Sequence, residues 1–218
     1  WVLYLEGSTD LAVLRALSER LDHNASALLA RPFVHYVENK PQKARDHFYG
    51  LREAKQDLVG FALFDHLDQS LQDRPELKEL MWQRREIENY ICTVETLLAY
   101  AEASPQLAAQ GPLFERAEAE RRRSVMQECI EDFVPKAAQR NPADRWWVET
   151  KVSGEFLDRL FQAFFTKLGL PNLMNKTDYH RLARYIPRDQ IDPEISTVLD
   201  FIVEVATKSR PIREDEEA

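Results

Sequence analysis

Short unbroken apolar runs alternate with helix-period stretches over the first third of the chain. Val2–Leu5 reads as a buried strand, and Thr9–Leu21 as a helix with Leu11, Leu14, Leu17 and Leu21 on one face. Phe33–Val37, set off by Pro32, predicts a second strand. The polar stretch Pro41–Gln56 predicts a helix, and Phe61–Phe64, entered through Gly60, a third strand. Apolar strands separated by helical patterns belong to βαβ units, whose parallel sheets are covered on both faces. Arg85–Cys92, with Ile87 and Ile91 apolar, is expected to add a fourth strand.

From Thr93 to Leu168 the pattern is helical. Met126, Ile130, Phe133 and Val134 make one apolar face. Phe156, Leu157, Leu160, Phe161, Phe164, Phe165 and Leu168 make a stronger one, ended by Gly169 and Pro171. That phenylalanine stripe is read as core packing rather than a ligand box. Asp192-Pro193 starts a last helix, with Asp at the cap and Pro in the first turn, and Ile195, Val198, Leu199, Ile202 and Val203 on its buried face. The expected fold class is α/β: a mostly parallel sheet flanked by helices, with an inserted or appended all-α helical domain.

Composition narrows this only a little. With 218 residues, 44% hydrophobic and 30% charged, the chain has apolar material for one large domain or two small ones. No run approaches the roughly 20 apolar residues of a membrane-spanning helix, so no membrane partner is expected. Cys92 and Cys129 are isolated, without metal or redox spacing, which makes a reducing cytoplasm the expected location. Trp1 opens directly into strand without an initiator Met, so the chain is read as a fragment of a longer protein. The net charge of −8 argues against a generic basic nucleic-acid footprint. A site that gathers carboxylates for divalent cations is nevertheless acidic by construction, and the bound ion reverses its local field.

Three acidic groups fall where chemistry would be expected. Glu6-Gly7-Ser8-Thr9-Asp10 ends the first strand and opens the following helix. Ligands of open α/β sheets collect outside the carboxyl ends of strands. Thr9 or Asp10 could equally serve only as a helix cap. Phe64-Asp65-His66-Leu67-Asp68 ends the third strand with two carboxylates close enough to repel unless a cation lies between them; surface acids in a loop are the plainer account. Arg85-Glu86-Ile87-Glu88-Asn89-Tyr90, read as a strand, puts Glu86 and Glu88 on one face, which an exposed strand with alternating charge would also explain. Taken together, such oxygen donors suit Mg²⁺, which keeps several waters and takes few carboxylates. They would not suit zinc, and the five histidines are scattered.

Glu6-Gly-x-x-Asp10 with the Asp65/Asp68 pair resembles the TOPRIM domain of topoisomerases, primases and related nucleases. The run Arg85–Tyr90, and Lys176-Thr177-Asp178-Tyr179-His180 downstream, look more narrowly like the overcoming-lysogenization-defect (OLD) family. That resemblance implies a Rossmann-like TOPRIM core in two parts, 1–92 and 170–210, a helical domain at 93–169, and a disordered acidic tail at 211–218. It implies a DNA endonuclease using two Mg²⁺ or Mn²⁺ ions, with Ca²⁺ admitted as a non-catalytic substitute. Glu6, Asp10 and Asp65 would be metal ligands, Asp65 bridging. Asp68 departs from the family's DxD spacing by one residue. Glu86 and Glu88 would serve the second metal, Glu88 the preferred ligand, and Lys176 would contact the scissile phosphate; as a residue on its own it is also explained as a solvated loop lysine.

Arg84, Arg85, Arg181, Arg184 and Arg188 are candidate DNA contacts flanking the site. Arg121-Arg122-Arg123 is read as a solvated helix face, and Trp146-Trp147 as packing between helices rather than base stacking. The implied partners are DNA and an N-terminal ABC-type ATPase domain of the same polypeptide, with room for a homodimer through the full-length protein, in genome maintenance or phage defence. The alternative is a non-catalytic TOPRIM-like scaffold, dimerisation or partner-binding module.

Overall fold

The structure is a computed structural model, and it describes residues 1–72, 74–104, 107 and 112–209. The expected acidic tail at 211–218 lies outside the described residues. The chain divides into two compact units: Trp1–Trp82 together with the chain from Pro193 on, and Gln83–Asp192. The divisions therefore fall at 82/83 and 192/193, where the resemblance implied 92/93 and 169/170.

The first unit is α/β. Its strands are β1 (Val2–Leu5), β2 (Val34–Tyr36), β3 (Gly60–Phe64) and β4 (Leu77–Met81), and its helices are α1 (Ser8–Arg20), α2 (Ala25–Ala30), α3 (Pro41–Ala54) and α9 (Pro193–Lys208). The sheet is all-parallel in the order β2-β1-β3-β4. Central β1 and β3 are buried at every position, as both-face coverage requires, whereas edge strand β2 is only half-buried. Val2, Tyr4, Ala62 and Phe64 pack with Phe48, Ala44 and Leu77 in one core layer. Residues between them alternate to the other face, and α1 and α9 contact β1 and β3 respectively. Gly60 is required by proximity: a Cβ there would lie 2.9 Å from a Leu77 methyl and 3.0 Å from the Phe48 ring.

The fourth strand corrects the sequence expectation. It is Leu77–Met81, paired with β3 from Gly60↔Leu77 to Phe64↔Met81, not Arg85–Cys92. Leu-Lys-Glu-Leu-Met is made of good helix formers, and Glu79 is a buried charge, so neither propensity nor period marks it. Only a partner elsewhere makes that burial tolerable. Arg45 of α3 grips Glu79 through two parallel bonds of 2.6 Å each, with Glu79's side chain 1% exposed. On α9 the buried face carries Val205 and Ala206 where Val203 was expected; Val203 is half-buried.

The second unit is helical. It contains α4 (Val94–Ala103), α5 (Pro112–Phe133), α6 (Lys136–Arg140), α7 (Trp146–Glu149), a π-helical turn (Ser153–Leu157) that runs into α8 (Asp158–Leu168), and 3₁₀ segments at Ile87–Tyr90, Lys176–Tyr185 and Arg188–Gln190. The phenylalanine stripe of α8 is buried as its period predicts, and the helix stops at Gly169, whose φ of 72° suits glycine. Ile87–Tyr90 winds into a turn because its polar groups close locally: Asn89 Oδ1 accepts the Glu86 N–H and the Asn89 N–H returns to the Glu86 carbonyl. Asn89 Nδ2 also donates to the carbonyls of Trp147 and Thr150. Trp147 is buried with its Nε1 on the Ala138 carbonyl, a packing role. Arg122, expected on a solvated face, is 3% exposed instead and donates to the carbonyls of Ala101, Glu102 and Leu107 and to Glu115.

Candidate functional site

In the sheet unit the chain leaves β1 toward β2 on one side and then crosses to β3 on the other. The sheet therefore reverses between β1 and β3, and the crevice outside their carboxyl ends is where open α/β sheets take ligands. The last paired residues there are Tyr4↔Ala62. Glu6 lies two positions beyond Tyr4 and Asp65 three beyond Ala62, on strands about 4.8 Å apart. The sequence thus delivers two carboxylates to one end of one crevice.

The acids at this end differ in their surroundings. Asp65 is 9% exposed, Glu6 half-buried, and Asp68 exposed in the loop that follows. His66, between the two aspartates, is turned onto the Trp82 carbonyl (Nδ1 to O, 3.1 Å). Asp10 in the first turn of α1 accepts the Gly7 N–H at 3.0 Å, so at least one of its oxygens does the capping that the sequence allowed for. On the other flank of β1, the Glu38 N–H donates to the Glu6 carbonyl, within a turn where Glu38 and Asn39 both have positive φ (53° and 55°). Two consecutive non-glycine residues in that region are uncommon.

In the helical unit Glu86 and Glu88 are 2% and 3% exposed, which corrects the picture of an exposed strand face. Glu86 Oε1 accepts the Ser153 N–H at 2.5 Å and Oε2 the Ser153 hydroxyl at 2.9 Å. Lys151 Nζ stands 3.8 Å from Oε2. Burial pushes the Glu86 carboxyl above its ordinary pKa, opposed by the Ser153 bonds and by the charges of Lys151 and Lys176. Glu88 acts on Tyr179 and Cys92, both raised chiefly by burial. Tyr179 donates a short hydrogen bond to Asp158. Lys176 begins its 3₁₀ segment, exposed.

The candidate DNA-contacting arginines separate into two kinds. Arg84 is held by Asp192 (2.7 Å), by the Asn89 carbonyl (2.8 Å) and over the Tyr90 ring, and Arg181 pairs with Asp178 (2.9 Å). Arg85, Arg184 and Arg188 are exposed.

No family model, curated protein or solved structure matches the chain. Among the described residues no three His, Cys, Asp or Glu side chains are grouped so as to hold a metal ion. The donors at the β1/β3 crevice are nevertheless all oxygen, and Mg²⁺ takes one or two carboxylates while keeping its waters. In donor chemistry the crevice fits a hydrated hard cation; it does not form a finished cage. No helix among the described residues is long and apolar enough to cross a membrane.

Sequence reasoning missed Ser153, Lys151, Arg45 and Glu79. None carries a local signal: each matters through a partner at least 34 positions away.

Proposed function

We propose that the chain is a TOPRIM-like, Mg²⁺- or Mn²⁺-dependent DNA nuclease domain, the catalytic part of an OLD-type ATPase-coupled endonuclease acting in the cytoplasm. One observation carries this reading: Glu6 and Asp65 stand at the carboxyl ends of adjacent parallel strands where the sheet reverses. Glu6, Asp65 and Asp10 would hold the cation. A divalent ion held there would supply an activated water, and a second ion would stabilise the leaving oxygen. Asp10 and Gly7 lock the turn that presents Glu6. In the helical unit, Glu88 and Lys176 remain candidates through the resemblance alone, while Glu86 is bound to Ser153 and buttresses the fold.

Plasmid nicking with Mn²⁺ tests the reading. Wild type should convert supercoiled to nicked circle, and Glu6→Ala and Asp65→Ala should each lower the rate by 10²-fold or more, of the order of an electrostatic catalytic group. Wild type cutting no faster than the two variants would end the nuclease reading. The second reading is a non-catalytic scaffold, favoured by the lack of a three-acid metal group among the described residues and by the extra residue between Asp65 and Asp68. Titration calorimetry with Mn²⁺ separates the two, because a scaffold takes up no ion that Asp65→Ala abolishes.

A further inference from the structure

We propose that the helical unit carries a small-molecule site of its own: a cavity at the start of α4 that takes a small cyclic organic cation, an amine or amidine, with its ring inside and its charge at Glu95. The inference does not depend on the nuclease reading.

The cavity measures about 280 Å³ and lies wholly within Gln83–Asp192. An engineered apolar cavity of roughly 150 Å³ holds one benzene ring, so a ring with a polar substituent has room here. The wall is contributed by Arg84, by the turn from Cys92 into α4, and by α6, Pro142 and α7. Exposure runs in one direction along it. Ala138, Cys92 and Trp147 are 1%, 2% and 7% exposed, Val94 is half-buried, and Glu95 is exposed. Burial pushes the Cys92 thiol well above its ordinary pKa, so the buried end of the wall carries no charge. An apolar interior with a few polar groups placed on it is the usual build of a small-molecule site.

Almost every polar side chain of the wall is already used within the protein. Thr93 Oγ1 caps α4 by accepting the Thr96 N–H at 3.1 Å. Gln139 Nε2 donates to the carbonyls of Glu131 and Val134, and Trp147 Nε1 to that of Ala138. The Arg84 guanidinium, the one cation of the wall, is balanced by Asp192 at 2.7 Å. Glu95 is the exception: among the described residues its carboxylate has neither a hydrogen bond nor an ion pair. Its place in the first turn of α4 suits the helix dipole, which accounts for the acid but not for the cavity beside it. A wall whose single unbalanced charge is negative favours a cation and disfavours an anion of the same shape.

Heteronuclear NMR titration of the whole chain with benzamidine tests the site, with benzoate as the anion of like shape. The reporter is the Trp147 indole N–H, identified by its loss in Trp147→Phe, because Trp147 lines the cavity and bonds to Ala138 there. Benzamidine should move this signal saturably at about millimolar concentration, and at least about tenfold more tightly than benzoate. The indole signals of Trp1 and Trp82, in the sheet unit, should stay in place. Glu95→Gln should weaken benzamidine about tenfold, the low end for a hydrogen bond to a charged group. Its urea midpoint should match wild type, because the side chain is exposed. A Trp147 signal unmoved by about 10 mM benzamidine, or moved no more than those of Trp1 and Trp82, overturns the site. Benzoate binding as tightly as benzamidine, or Glu95→Gln binding benzamidine as tightly as wild type, overturns the assignment of a cation at Glu95.

Discussion

Glu79 in the sheet unit and Glu86 in the helical unit are both nearly absent from the surface, yet the fold holds them by different means. Glu79 meets a guanidinium in a bidentate fork at 2.6 Å and also accepts the Gln72 N–H. Glu86 meets the N–H and hydroxyl of one serine, with its nearest ammonium at 3.8 Å. A bidentate ion pair satisfies a buried carboxylate within the protein and links α3 to β4. At Glu86 two donors of one serine satisfy the carboxylate, and the lysine stands farther off. The contrast separates a carboxylate that an ion pair fastens to another element from one that neutral donors hold. Neither resembles Glu6 and Asp65, which strand topology alone brings to the same crevice.

Three experiments would break or sharpen that contrast. The largest effect should come from Arg45→Met, which strands a buried carboxylate and should cost about 3–5 kcal/mol in urea unfolding. Hydrogen exchange should show the loss in the sheet unit. A cost below about 1 kcal/mol would mean the fork is replaceable and the fastening role is wrong. Ser153→Ala should cost less, about 1–3 kcal/mol, because it removes the hydroxyl bond but keeps the backbone one. A loss equal to that of Arg45→Met would erase the distinction between the two carboxylates.

The smallest effect concerns His47, stacked on His35 at 3.8 Å and bonded through Nδ1 to the buried Tyr4 hydroxyl at 2.9 Å. Burial, then the His35 charge, holds its pKa below the ordinary 6.5. The folded state therefore binds fewer protons than the unfolded one as pH falls below 6.5, so stability should drop over that window and level off beneath the folded pKa. Urea midpoints measured above and below 6.5 should differ for wild type, and by a smaller margin for His47→Gln. An equal or larger margin in the variant would assign the pH effect to other groups.

Much of the sheet unit was legible because its signals are local. Val2–Leu5 and Gly60–Phe64 are apolar at every position apart from the opening glycine, and α1 repeats its leucines at helical spacing. Glu6 and Asp65 follow the strands directly, so finding the strands located the acids. β4 was not legible, since a glutamate at its centre is acceptable only with Arg45 across from it. Glu86 and Glu88 were visible as acids but not as buried ones. Their turn is closed by Asn89 and their surroundings by Ser153, 67 positions away from Glu86.

By itself, then, the sequence determined which segments form the parallel strands β1 to β3, where the α8 stripe is buried, and that carboxylates end two strands. Those features depend on the period of the chain and on its immediate neighbours, which any short window contains. The tertiary structure decided the order β2-β1-β3-β4 that makes neighbours of Glu6 and Asp65, the burial of Glu79 and Arg122, and the Ser153–Glu86–Lys151 grouping. A charge can be buried only when a distant part of the chain supplies its partner, and no window of sequence holds both halves of that requirement.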